Sequence, residues 1–278
     1  MGKRTAGPVI YFNGEWLEAN DTLLEALKPG RLRGQGVFET VAVTGGDLCF
    51  WPEHHARFTR GLKAYGLRCR FGRRALQDLA AELIARNRLT SARLRVARYR
   101  DMKEDYLVLV GTPTHTDPVA GPALSVHVSR HRRSKDRYSH LKSVTYQPFY
   151  HAHQEALALG RHEALLLDRG GRIVEGSTTN VFFVAAGELH TPATAVGCLN
   201  GIVRQQVIKL ASQIELRVRR GAYPLSCLLK ADEVFLTNSL IGIRPVAKVD
   251  GHRLKSQQVW TPRLSDAYRR LLNGPNSR

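Results

Sequence analysis

The sequence predicts an α/β (α+β) protein of two domains, and three observations carry that expectation. Strand-like and helix-like hydrophobic spacings alternate through the first third of the chain, the pattern of a mixed fold. At 278 residues the chain exceeds one typical domain and is long enough for two cores. Between two apolar strand-like runs, residues 111–122 concentrate Gly, Thr and Pro, the composition of a connection. The expected division is an N-terminal α/β domain over residues 1–115, a linker over 116–122 and a C-terminal domain over 123–278.

In chain order, residues 9–12 read as a strand, as do residues 36–43, where β-branched and aromatic side chains cluster. Helical spacing follows near 53–66 and over 73–87, where Leu76, Leu79, Leu83 and Ile84 recur on one face. Strands are expected at 93–99 and 106–110. Beyond the linker, Pro148 suits the first turn of a helix ending at Gly160, because proline lacks only an amide that would be orphaned there and glycine suits the position past the last turn. Residues 164–168 and 172–175 flank Gly170 and Gly171 as a hairpin, and 180–184 form a third strand. A helix over 202–213, a strand over 233–237 and an amphipathic helix near 263–272 complete the pattern, without internal repeats.

Composition narrows the function classes. Hydrophobic content of 43% with 24% charged residues is that of a folded soluble protein and argues against disorder. A net charge of +18, from 42 Lys and Arg against 24 Asp and Glu, favours an anionic partner. The densest basic run, residues 131–137, lacks interleaved aromatics that could stack on bases, so it reads as a solvated loop or an anion-attracting rim, and nucleic acid is not expected. Cys49, Cys69, Cys198 and Cys227 lie far apart with no CxxC pair, which suits a reduced cytoplasm better than a disulfide scaffold or a zinc site. The N-terminus lacks an apolar signal core, and no run reaches the roughly 20 apolar residues that span a bilayer, so a cytoplasmic protein without membrane contact is expected. No metal is expected, since the eleven histidines include no HExxH spacing, and GxSxG, Walker and GxGxxG patterns are absent too.

Three places remain that could carry chemistry. Residues 199–204 put Gly201 and two backbone amides at the entry to an expected helix, where unsatisfied N–H groups and the helix dipole favour a phosphate. Glu175 ends an expected strand and is followed by a Gly-Ser-Thr-Thr-Asn turn; it is a surface carboxylate or one aimed into the space that the turn opens. Lys142 lies in a strand-like run, 141–146, whose alternation puts it on one face with Val144. A lysine sharing a face with apolar residues either snorkels at an edge or is held inside for function.

Together and in order, these signals resemble the fold-type IV (class IV) family of pyridoxal-phosphate enzymes, which includes branched-chain aminotransferases, D-amino acid aminotransferases and aminodeoxychorismate lyases. The resemblance runs from about Tyr11 to Val246 and begins with residues 34–40, where Gln35 replaces the Asp of the family's GDGVFE. His54, His55 and Ala56 followed by Arg57 and Phe58 fit HxxRL, whose arginine binds the cofactor phosphate. Lys142 falls at the Schiff-base lysine, and Tyr146 resembles the tyrosine that contacts the cofactor's ring oxygen, whereas Thr145 replaces a common Asn. Residues 175–182 resemble EGSxxNxF, the most specific signature, whose glutamate, here Glu175, pairs with the pyridine nitrogen. Residues 199–204 resemble LPGITR or VNGIMR, which makes the amides of Ile202 and Val203 phosphate ligands, and Ser239 stands where relatives have a phosphate-binding Thr or Ser.

The chemistry accounts for these residue types. Pyridoxal 5'-phosphate needs an amine to hold it, an acid beside its ring nitrogen and a cradle for its phosphate. Once displaced by substrate, the lysine can shuttle protons as general base and acid. Residues 231–246 are closer to the lyases' CNSLMGVxPV than to the aminotransferases' GTAxEVxPV. The resemblance therefore implies aminodeoxychorismate lyase activity, in which 4-amino-4-deoxychorismate yields 4-aminobenzoate and pyruvate for folate biosynthesis. The alternative is an aminotransferase acting on D- or branched-chain amino acids with 2-oxoglutarate. Either substrate is a small amine bearing carboxylates, for which Arg98, Arg100 and Arg244 are the candidate guanidinium donors. The family also implies a homodimer with the active site between the domains.

Overall fold

The computed structural model describes residues 7–28, 30–118, 120–255 and 259–274. The ends of the two expected domains, 1–6 and 275–278, lie outside the described residues, as does Val119 of the expected linker. The chain divides into two compact units: residues up to His115 with Lys142–Gln147, and Thr116–Leu141 with Pro148–Gly274. Lys142 thus belongs with the first unit, although it follows the linker in sequence.

The first unit contains strands β1 (Val9–Phe12) and β2 (Glu15–Glu18), helix α1 (Asp21–Ala26), strands β3 (Gln35–Thr44) and β4 (Asp47–Leu48), helices α2 (Trp51–Ala64) and α3 (Arg73–Arg86), and strands β5 (Ser91–Asp101) and β6 (Glu104–Pro113). Its six strands run β2-β1-β6-β5-β3-β4, with all pairs antiparallel. β3 and β5 pair continuously from Gln35 opposite Arg100 to Thr44 opposite Ser91, so residues directly opposite share a face. One face carries Val37 and Glu39 towards α2. Gly61 of α2 comes so close that a Cβ there would lie 2.8 Å from Val37 Cγ1. The other face carries Phe38, Ala97, Val108 and Val110, packed with Ile10, Leu27 and Val144.

The second unit contains β7 (Leu124–Arg132), α4 (Gln147–Ala158, from Pro148 onward), β8 (Glu163–Leu167), β9 (Ile173–Gly176), β10 (Asn180–Ala185), β11 (Glu188–Pro192), α5 (Ile202–Gln213), β12 (Val218–Gly221), α6 (Leu225–Leu229), β13 (Glu233–Asn238), β14 (Gly242–Val249), β15 (His252–Arg253) and α7 (Trp260–Asn273). The sheet order is β12-β11-β10-β13-β14-β7-β8-β9, with β15 also on β14. Pairs β11–β12, β14–β7 and β7–β8 are parallel. Apolar residues of β8, β10, β13 and β14, among them Leu165, Val181, Leu236 and Val246, form the core of this unit. The β8–β9 hairpin turns at Gly171, whose φ of +75° suits glycine, and Asp168 Oδ1 accepts from the amides of Gly170 and Arg172.

Two expectations need correction. Residues 141–146 do not form a strand: an isolated bridge joins Ser143 to Val37 on β3, with Phe38 N donating to Lys142 O at 2.9 Å and Val144 N to Gly36 O at 3.0 Å. The Ser143 hydroxyl bonds Thr145, and Tyr146 N turns back to Val144 O, so local bonds compete with a ladder. The connection after the first unit is also shorter than 111–122, because β6 extends to Pro113 on its pairing with β5. Among the described residues no helix is long and apolar enough to cross a membrane.

Candidate functional site

In the first unit, β3 and α2 build a buried ionic cluster. Glu39, 2% exposed, accepts from Arg57 Nε at 2.8 Å and Arg57 Nη2 at 2.6 Å, and His54 Nδ1 lies 2.7 Å from its second oxygen. Burial alone would raise the Glu39 carboxyl, but the charge and hydrogen bonds of Arg57, joined by His54, outweigh it and hold the group at about 2. Burial pushes His54 below its usual range against the pull of Glu39, and the charges of Arg57 and Lys142 push the same way, so the ring is neutral and donates through Nδ1. Arg57 is thereby fixed in plane by a bidentate carboxylate.

Lys142 is half-buried, and its Nζ lies 4.5 Å from the centroid of Phe38 and 5.5 Å from that of Tyr146. The two rings meet edge-on at 5.4 Å. The amine therefore stands over the sheet face that carries Phe38 and is held there by cation–π attraction. Tyr65 OH donates to Ser143 Oγ at 3.0 Å, which fixes the backbone beside Lys142 from α2.

In the second unit, Glu175 lies within β9 rather than at a strand end and is 4% exposed, which selects the inward alternative over the surface one. Its Oε2 accepts from Leu199 N at 2.9 Å, and its Oε1 faces Arg133 Nε at 3.6 Å. The bond to Leu199 ties Glu175 to the loop that enters α5. There Gly201 takes the N-cap position without a side-chain cap, and Ile202 and Val203 open the helix. Asn180 Nδ2 holds the same loop through Leu199 O, and a Cβ on Gly201 would lie 2.1 Å from Asn180 Oδ1. Ser239 sits in the turn between β13 and β14; Asn238 Oδ1 caps it by accepting from Leu240 N and Ile241 N, and Asn238 Nδ2 reaches Thr178 O. The turn after Glu175 is clamped in turn by buried Glu163, which accepts from the amides and hydroxyls of Ser177 and Thr178.

Thus Lys142 and Tyr146 meet over Phe38 in the first unit, which also holds Arg57 on Glu39 at the opposite face of β3, and Glu175, Ile202, Val203 and Ser239 lie in linked loops of the second. The three arginines expected at substrate are engaged otherwise. Arg98 and Arg100 both bond Asp105, at 2.9 Å and 2.7 Å, and Arg244 donates to the backbone carbonyl of Asp117 at 2.6 Å. Arg244 fills the space beside Gly121, where a Cβ would lie 1.6 Å from its guanidinium.

Two residues escaped the sequence reading. Arg95 lies opposite Thr40 on β3, hence on the Phe38 face; it is 9% exposed, its Nη1 bonds Leu27 O at 3.3 Å and its Nε has no hydrogen-bond partner among the described residues. Burial, with the charge of Arg93, brings its guanidinium down to about 9. The alternation Arg93-Leu94-Arg95, two like charges on one face of an expected strand, is the signal that could have found it. Arg133, within the run read as a solvated loop, packs over the Phe149 ring at 4.7 Å beside Glu175.

These residues fit pyridoxal phosphate on structural grounds. The second unit pairs a buried carboxylate with an uncapped helix start, and the buried Thr237 hydroxyl, without a hydrogen-bond partner among the described residues, lies opposite Asn180 on the face towards that loop. The sequence profile described as amino-transferase class IV matches residues 36–249. The chain is 31% identical to a putative branched-chain-amino-acid aminotransferase of Methanocaldococcus jannaschii, over 90% of this chain and 91% of that protein. It is 28% identical to aminodeoxychorismate lyase of Bacillus subtilis, over 90% and 89%. The Escherichia coli branched-chain amino acid aminotransferase superposes with a TM-score of 0.84 at 25% identity, covering 99% of this chain and 97% of that one. The fold and the matches agree, and the chain belongs to the class IV aminotransferase family of pyridoxal-phosphate-dependent enzymes.

Proposed function

We propose that this enzyme is an aminodeoxychorismate lyase, converting 4-amino-4-deoxychorismate to 4-aminobenzoate and pyruvate in the cytoplasm. The observation that carries the choice is the turn from Asn238 to Gly242. Asn238 caps it through its own side chain, and Gly242, at φ +57°, admits no Cβ because Pro118 O would lie 1.7 Å away. This Asn-Ser-Leu-x-Gly turn follows the lyase pattern, whereas the Gly-Thr-Ala of the aminotransferase pattern has no such cap.

Bound pyridoxal phosphate supplies an electron sink for the pair left when a proton leaves the amine-bearing carbon. In this proposal Lys142 would hold the cofactor and, once displaced from it by the substrate amine, would take that proton on Nζ. Tyr146 would orient the ring, and Glu175 would pair with its nitrogen. Arg57, the amides of Ile202 and Val203, and Ser239 would hold the phosphate. Arg95, on the same sheet face as Lys142 and with its Nε unsatisfied, joins Arg98, Arg100 and Arg244 as a candidate receiver for a substrate carboxylate. A second reading, an aminotransferase acting on D- or branched-chain amino acids, is supported by the likeness to the branched-chain-amino-acid aminotransferase of Methanocaldococcus jannaschii and to D-alanine aminotransferases.

The purified protein, loaded with cofactor and reduced with borohydride, should retain cofactor mass on the peptide containing Lys142, and Lys142→Ala should lose it. Supplied with aminodeoxychorismate it should release 4-aminobenzoate. Glutamate formation from amino acids and 2-oxoglutarate, without 4-aminobenzoate release, would overturn the lyase in favour of the second reading. The family habit and the proposal also predict twice the chain mass by light scattering, a homodimer.

A further inference from the structure

Arg133 leaves the end of β7 with its backbone amide bonded to Leu167 O at 2.8 Å, and its side chain turns inward rather than to solvent. The side chain is 15% exposed, that of Glu175 6%, and Nε stands 3.6 Å from Glu175 Oε1. Nη2 donates to Ser139 O at 2.9 Å, the guanidinium lies 4.7 Å over the Phe149 ring, and Nε has no hydrogen-bond partner among the described residues. The cation is therefore anchored on two sides. At 3.6 Å its link to Glu175 is charge attraction rather than a short hydrogen bond. Arginine suits this place because it stacks on an aromatic face and keeps its charge when buried.

We propose that Arg133 is a positioning residue that holds Glu175 ionised and aimed, and so sets how strongly this site stabilises a proton on the cofactor's ring nitrogen. The inference rests on the reading of Glu175 given above. Burial makes an ionised carboxylate costly, and a cation this near lowers that cost, so the carboxylate stays able to pair with a protonated ring. Two further groups feel its charge: Cys198, a thiol that burial and then the Glu175 charge push up to about 12, and Arg204, whose guanidinium burial pulls down and the Glu175 charge sustains. Cys198 is thus neutral, and Arg204 is committed to Asn200 Oδ1 and Pro192 O, both at 2.9 Å. Arg133 is the cation aligned with Oε1.

The test compares wild type with Arg133→Met and Arg133→Lys in the full chain. The Glu175 carboxyl carbon is followed by NMR across pH in cofactor-free protein, and pyridoxal phosphate affinity is measured by fluorescence titration. In Arg133→Met the Glu175 titration should move up by at least one pH unit, a tenfold gain in proton affinity, and cofactor affinity should fall about tenfold. Arg133→Lys, which keeps the charge but not the planar stack, should fall between the two. A wild-type Glu175 titration in a folded Arg133→Met protein overturns the proposal. Should Arg133→Met fail to fold, Arg133→Gln, which removes the charge but keeps a polar amide, should show the same upward movement of the Glu175 titration, and a wild-type titration in it overturns the proposal. The NMR titration needs no cofactor, so its failure is separate from failure of borohydride labelling at Lys142.

Discussion

Replacing Glu39 by glutamine removes the anion shared by Arg57 and His54 while keeping the side chain's size. The carboxyl is held at about 2 against a reference value of 4.5. That difference of about 2.5 units, at 1.36 kcal/mol per unit, makes its ionisation worth roughly 3 kcal/mol of stability at neutral pH. A depressed carboxyl contributes fully above its unfolded value and loses the contribution as pH falls through its folded value, so the window runs from about 4.5 down to about 2. His54 acts over a different window. Its lowered folded value means that the unfolded chain binds the proton first, so its contribution starts to fall once pH drops below the reference value of 6.5. Urea unfolding of wild type and Glu39→Gln at a series of pH values reads the carboxyl in its own window, from about 4.5 down to about 2; above that window the gap also carries the pull of Glu39 on His54, which the substitution removes. The gap between them should be at least about 3 kcal/mol at pH 7, since Arg57 is left without its buried counter-charge, and should shrink steadily as pH is lowered through the carboxyl window. A gap of the same size at pH 7 and pH 3 would refute an ionised Glu39 in the folded protein.

Gly201→Ala should cost about 1–3 kcal/mol in thermal unfolding, because its Cβ meets Asn180 Oδ1 at 2.1 Å, and it should weaken pyridoxal phosphate binding by more than it changes kcat. Glu163→Ala should cost about 3 kcal/mol or more by unsatisfying the amides of Ser177 and Thr178, with the loss read by calorimetry and by faster hydrogen exchange at those two amides. Arg95→Gln should raise KM for a carboxylated substrate at least tenfold while stability holds or rises, since the wild-type guanidinium is buried with its Nε unsatisfied. An unchanged KM would remove Arg95 from the substrate side.

What was legible in the sequence follows from how local its causes are. The helix from Ile202 to Gln213 lies where the glycine entry and apolar spacing put it, because backbone freedom at Gly201 and periodicity act within a few residues. The hairpin at Gly170 and Gly171 is equally local. Residues 141–146 had strand composition but no ladder, since the strand they meet, β3, offers them only a bridge at Val37. Motif order marked Lys142, Glu175 and Arg57 for their proposed roles, yet it could not show that Glu39 is what fixes Arg57 in place. Arg133 was hidden for the opposite reason: surrounded by other basic residues, it looked solvated, and only the fold brings Glu175 and Phe149 against it.

The parallel seam at the centre of the larger sheet also bears on how the chain acquires its structure. β7 is made first among the strands of that sheet, yet one of its two neighbours, β14, is made almost last; Val128 N finds Asp250 Oδ1 across 122 positions. Closing so long a loop comes late, so during synthesis the backbone edge of β7 that pairs with β14 stays open until most of the second unit has left the ribosome. Slow refolding, with aggregation that falls as protein concentration is lowered, is the expected signature of this topology, and cotranslational chaperones would act on that exposed edge.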